Sequence, residues 1–122
     1  MGNTQYSREL RLLTPSHFEN VFKDAIPSVS PSATILGRHN HLSHPRLGIT
    51  VSKKNVRKAH DRNRVKRVIR ESFRLNQHKL PHIDIVVVVK PGLDKHTNAE
   101  IFELLEKLWK KLTKRCDKAL SS

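Results

Sequence analysis

The chain has 122 residues, 24 Lys plus Arg against 11 Asp plus Glu, and a formal net charge of +13. That length suits one domain, over 1–122 with flexible ends at about 1–7 and 117–122, and its single cysteine, Cys116, excludes an internal disulfide or a cysteine-based zinc cage. The apolar run 85–89 is far shorter than the roughly 20 residues of a membrane span, and the first ten residues lack the apolar stretch of a secretory signal. A cytoplasmic location is therefore expected.

In chain order, Thr14-Pro15 reads as an N-cap followed by proline at the first helical position. Phe18, Val21 and Phe22 then recur at i, i+3, i+4, predicting a short helix over 15–24. The stretch Pro27-Ser28-Val29-Ser30-Pro31-Ser32 reads as a loop. Strands are predicted over 33–37 and 46–52. In the second, Leu47, Ile49 and Val51 alternate with Gly48, Thr50 and Ser52, the pattern of one buried face. The intervening 38–45 is a turn or loop. Val65, Val68, Ile69 and Phe73 make one core-facing stripe on a helix over 58–75. Residues 83–90 read as a strand buried on both sides, ended by Pro91-Gly92. Thr97-Asn98-Ala99-Glu100 fits a capping box, opening a long helix with Ile101, Leu104, Leu105, Leu108 and Leu112 on its inner stripe.

The order is α-β-β-α-β-α, with room for one more short strand. Strand 46–52, helix 58–75 and strand 83–90 form a β-α-β unit, so the two strands should be parallel. The predicted fold is an α/β two-layer sandwich with a small central sheet.

The charge is concentrated. Residues 53–74 hold ten basic side chains and only Asp61 and Glu71 against them, +8 of the +13. A compact chain this basic repels itself, and a polyanion is the usual reason to carry such charge. At about 100° per helical residue, Asn63, Arg67, Arg70 and Arg74 fall within about 60° of one another, opposite the Val65/Ile69 stripe. Lys66 sits at the edge of this strip, and Arg62 and Arg64 flank the apolar side. Guanidiniums bind phosphate oxygens bidentately, and an amide among them can serve sugar or base edges. An ordinary solvated face mixes both signs; this strip does not.

The string Arg62-Asn63-Arg64-Val65-Lys66-Arg67-Val68-Ile69-Arg70-Glu71-Ser72-Phe73-Arg74 closely resembles the RNR signature of the bacterial ribonuclease P protein family. The blocks RELRLLTPSHF (8–18), PRLGITVSKK (45–54) and DIVVVVK (84–90) resemble its other segments in order. The resemblance implies a partner, the catalytic RNA of ribonuclease P. That RNA cuts the 5′ leader from precursor tRNA using Mg²⁺ that it binds itself. It implies that Arg62, Asn63, Arg64, Lys66, Arg67 and Arg70 dock on that RNA, Arg74 being added by the helical wheel. It also implies a ribosomal-protein-S5-domain-2-like fold with a left-handed β-α-β crossover, where pattern alone predicts a right-handed one. The protein is expected to be monomeric apart from the ribonucleoprotein.

The family's second surface is a cleft between the first helix and the sheet that holds the single-stranded 5′ leader. The matching positions are Phe18, Phe22, Ser52, Lys53, Lys54 and Lys90. Aromatic faces stack on unpaired bases and lysines follow the phosphates, although Phe18 and Phe22 at i, i+4 would equally anchor a core. Many relatives place an aromatic on the first strand of this cleft; here the stretch reads Thr34-Ile35-Leu36-Gly37.

No catalytic residue and no metal site is expected on the chain. His39, His41 and His44 lie in a polar loop without neighbouring carboxylates. His60 fits either RNA contact when protonated or a helix start, and Asp94 a structural role near the last helix. The lysines of that helix, with Glu100, Glu103 and Glu106 in its first turns, follow the helix dipole. A small basic ribosomal or other structural RNA-binding protein would explain the arginine helix, but not a second, single-strand-binding cleft.

Overall fold

The computed structural model describes residues 15–40 and 42–121. The Thr14 cap, the block 8–14, the end 1–7 and His41 lie outside the described residues. The elements are α1 (Pro15–Lys23), β1 (Ile26–Val29), β2 (Ala33–His39), β3 (Arg46–Thr50), α2 (Ala59–Asn76), β4 (Ile83–Val89) and α3 (Asn98–Ser121).

β1 corrects the expected loop. It pairs antiparallel with β2 from Ile26↔Gly37 to Val29↔Thr34. Pro27 has no N–H for a ladder, so such a segment is tolerated only at a sheet edge, and β1 is the edge. Ser28 is fully buried because its hydroxyl donates to the Leu108 carbonyl (3.2 Å). A serine- and proline-rich composition thus conceals a strand that α3 covers. β2 also runs two residues beyond its expected end, through Arg38 and His39, whereas β3 stops at Thr50.

The sheet order is β1-β2-β4-β3. β2 and β4 are antiparallel, and β3 and β4 are parallel, Leu47 facing Ile85 and Ile49 facing Val87. Along β4, Ile83, Ile85, Val87 and Val89 pack with the stripes of α2 and α3. Val86 points the other way, toward Val21, Phe18 and Leu36. Helices cover both faces of β4, which is why it reads as continuously apolar. The sheet and the α2/α3 layer are as expected, and α1 adds a partial third layer on the second face.

Local chemistry fixes the joints. Gly37 lets α3 approach β2: a Cβ there would lie 3.2 Å from Leu112. Gly92 has φ +102°, the left-handed region that favours glycine, and turns the chain from β4 into a 3₁₀ turn at Leu93–Lys95. The capping box is reciprocal. Glu100 N–H donates to Thr97 Oγ1 (3.1 Å), and Thr97 N–H donates to Glu100 Oε1 (2.8 Å). Trp109 Nε1 donates to Ser72 Oγ (2.9 Å) and its ring meets Phe73 edge-on at 6.3 Å, fastening α3 to α2.

Candidate RNA-binding surfaces

Burial of Val65, Val68, Ile69 and Phe73 orients α2 and leaves Asn63, Arg67 and Arg70 exposed on its outer face. Lys66 is half-buried at the edge. Arg62, Arg64 and Arg74 of the basic set are bound to neighbouring groups. Arg62 Nη1 donates to the carbonyls of Val56 (3.0 Å) and Arg57 (2.9 Å). Arg64 donates to the Asp94 carbonyl (2.8 Å) and to Asn98 Oδ1 (2.6 Å). Arg74 is hydrogen-bonded and ion-paired to Glu71. That bond holds the Glu71 carboxyl below its usual range and raises the Arg74 guanidinium. The strip therefore carries a carboxylate at its C-terminal end, since a side chain three residues back can reach it. Its outward members are Asn63, Arg67 and Arg70.

A cavity of about 730 Å³ opens where the loop after β3 meets the start of α2. Lys54, Arg57, Lys58 and Lys95 line it, with Asp61 and Asp94 between them. Lys58 is the N-cap of α2 and makes no side-chain capping bond. The first N–H groups of the helix therefore have no side-chain partner at the cap. Arg57, Lys58 and Lys95 were not among the expected contact residues. The first two belong to the basic run and were legible as charge; Lys95 arrives only because β4 ends beside the start of α2.

On the second face, the sheet residues directed toward α1 alternate with the core. Phe18 packs half-buried against the Val21/Val86 cluster, whereas Phe22 is 50% exposed. Phe18 is thus partly core, and Phe22 offers the open aromatic face. Thr34 and Leu36 occupy the β2 positions on this side, without an aromatic. Ser52, Lys53 and Lys54 are exposed past the end of β3. The Ser52 hydroxyl accepts the Asn55 N–H (3.1 Å), closing that turn. Lys90 is placed differently: its Nζ donates to the Ser30 carbonyl (2.8 Å), tying β4 to the β1–β2 turn. A second cavity, about 470 Å³, brings Thr50, Ser52 and Val88 together with Lys66 of α2. The two surfaces therefore adjoin at the end of β3.

Asp94 belongs to the lining of the basic cavity, and His60 adjoins Asp61 of the same lining. His60 is exposed and lies 3.2 Å from Asp61 at the start of α2. Asp94 contributes its backbone carbonyl to Arg64. Cys116 is buried in the core, and burial pushes its thiol up to about 11. Among the described residues, no group of three or more His, Cys, Asp or Glu could hold a metal ion. No helix there is long and apolar enough to cross a membrane.

A family model described as Ribonuclease P matches residues 6–113. The chain belongs to the ribonuclease P protein family. It is 66% identical over 119 residues to the ribonuclease P protein component of Pseudoalteromonas atlantica, covering 98% of this chain and 99% of that one. With the component from Salmonella paratyphi A it shares 58% over 111 residues, 91% of this chain and 93% of that one. The structure resembles the RNase P protein of Staphylococcus aureus, with TM-score 0.79 and 29% identity over 85% of this chain and 97% of that chain. It also resembles the Thermotoga maritima protein, with TM-score 0.75 and 33% identity over 83% and 96%. Membership assigns the chain to the ribonuclease P holoenzyme, an endoribonuclease, as a partner of its RNA in tRNA 5′ processing.

Proposed function

We propose that the protein is the RNA-binding cofactor of this ribozyme, docking on the catalytic RNA through the outer face of α2. The observation that carries the reading is the exposure of Asn63, Arg67 and Arg70 on one face, beside the cavity lined by Lys54, Arg57, Lys58 and Lys95. Cations arranged this way neutralise phosphates of a folded RNA and lower the metal concentration the fold needs. The α1 face holds the single-stranded 5′ leader of precursor tRNA. Phe22 offers a stacking surface, Phe18 supports it, and Lys53 and Lys54 follow the leader phosphates. Only the precursor carries a leader, so this contact favours substrate over mature product.

Bond breaking belongs to the RNA, with Mg²⁺ held mainly by it. The donor set of this chain fits an anion better than a divalent cation, because Asp61 and Asp94 share their cavity with four basic side chains. The protein acts in the cytoplasm, as a monomer apart from the ribonucleoprotein. The test adds the protein to ribonuclease P RNA at low Mg²⁺ and follows release of the 5′ leader. Faster release than with RNA alone is expected; an unchanged rate overturns the cofactor reading.

A further inference from the structure

Two of the three residues in the Arg62-Asn63-Arg64 triplet have guanidiniums turned into the protein. Arg62 Nη1 bridges the carbonyls of Val56 (3.0 Å) and Arg57 (2.9 Å). Arg64 reaches in the other direction, to the Asp94 carbonyl (2.8 Å), Asn98 Oδ1 (2.6 Å) and, at longer range, the His96 carbonyl (3.4 Å). Every acceptor is neutral, so these are not ion pairs. They satisfy carbonyl groups of a loop and a 3₁₀ turn that have no ladder partner. A planar five-donor fork can serve several carbonyls at fixed angles; a lysine ammonium cannot reproduce that geometry.

We infer that Arg62 and Arg64 are positioning residues for the RNA-docking surface and that the phosphate contacts are made by their neighbours. Arg62 holds the loop that carries Lys54, Arg57 and Lys58 against the first turns of α2. Arg64 holds the turn that carries Lys95, and the start of α3, against the same helix. Between them they frame the basic cavity from two sides. Asn63 and Arg67, whose side chains make no hydrogen bond or ion pair to the described residues, face outward from the same turns. This inference rests on the proposal that α2 docks on the ribozyme RNA.

The test is the salt dependence of binding to ribonuclease P RNA, with the folded fraction of each variant followed by circular dichroism. Arg67→Ala should lower the log–log slope by about 0.7–0.9, the value of one phosphate contact, and Arg67→Lys should restore it. Arg62→Ala and Arg64→Ala should weaken binding by the folded protein roughly tenfold, the scale of one charge-assisted hydrogen bond, with the slope unchanged. Arg62→Lys and Arg64→Lys should behave like the alanine variants. Asn98→Ala removes an acceptor of Arg64 while leaving every charge on α2 in place, and should reproduce part of the Arg64→Ala loss. A slope deficit at Arg64→Ala that lysine repairs would make Arg64 a phosphate contact and overturn the inference. A lowered melting temperature with unchanged affinity of the folded protein would also overturn it, reducing the arginines to stability alone. If Arg67→Ala changes nothing either, the docking proposal itself has failed, and the inference falls with it.

Discussion

Asp84 sits in an otherwise apolar strand, 7% exposed, with Arg46 donating to both of its carboxylate oxygens at 2.7 and 2.6 Å. Asn40 Nδ2 adds a third bond at 3.0 Å. A carboxylate is tolerated in such a place only when its lone pairs are met. The register explains the pairing, since Arg46 of β3 lies directly opposite Asp84 of β4. Removing one partner leaves a desolvated charge with a single amide for company. Arg46→Met should therefore cost about 3 kcal/mol in urea unfolding. Adding Asp84→Leu to that variant should recover much of the loss, because the uncompensated charge is gone. A double variant as unstable as the sum of both single variants would show that the pair is not coupled. None of this partnership was legible in sequence, because the two residues are brought together by strand register alone.

At the scale of elements, periodicity carried the reading wherever one face meets a core. The stripes of α2 and α3 and the Thr97…Glu100 box stand where their spacing put them. At β3, by contrast, Gly48 is buried beside Leu47, Ile49 and Val51 are only partly buried against the core, and the strand ends at Thr50. β1 was hidden because its burial depends on α3, which contributes the Leu108 carbonyl that takes the Ser28 hydroxyl. Helical spacing placed Asn63, Arg67 and Arg70 outward correctly. The same wheel could not reveal that Arg62 and Arg64 turn back toward Val56 and Asp94, since those acceptors come from other segments. The capping box supports a quantitative expectation. Thr97→Ala should lower stability by about 1 kcal/mol in urea unfolding, through loss of the side-chain acceptor at the start of α3. The backbone hydrogen bond from Thr97 holds the Glu100 carboxyl below its ordinary range. Its stabilisation is complete above the unfolded-state pKa and is lost as pH falls through the lower folded-state value. Glu100→Gln should thus flatten the acid limb of the stability profile there by lowering stability at neutral pH, while stability in acid, where the carboxyl is protonated, stays close to that of the parent. An unaltered acid limb would remove Glu100 from the pH dependence.

Over the whole molecule, the sheet separates two jobs. α2 and α3 pack on one face and α1 on part of the other. The outer side of α2 and the exposed ring of Phe22 belong to elements on opposite faces of the sheet, so their effects on binding should add within about 0.5 kcal/mol. Phe18 is a poor probe of the leader, because its ring also fills the Val21/Val86 cluster and its removal mixes packing with contact. Phe22, half in solvent, separates them. In the reconstituted holoenzyme, Phe22→Ala should weaken precursor tRNA binding by about 1–3 kcal/mol, the range for one stacked base. It should leave mature tRNA binding and the melting temperature nearly unchanged. Arg67→Ala should instead reduce assembly with the RNA, and the RNA concentration needed for half-maximal activation should rise without a change in the precursor-to-mature ratio. The double variant should show both losses, each at its single-variant size. Equal weakening of precursor and mature tRNA by Phe22→Ala would place the leader elsewhere. Strong non-additivity would mean that docking on the RNA and capture of the leader are linked through the sheet, most directly where Lys66 and Ser52 meet at the end of β3.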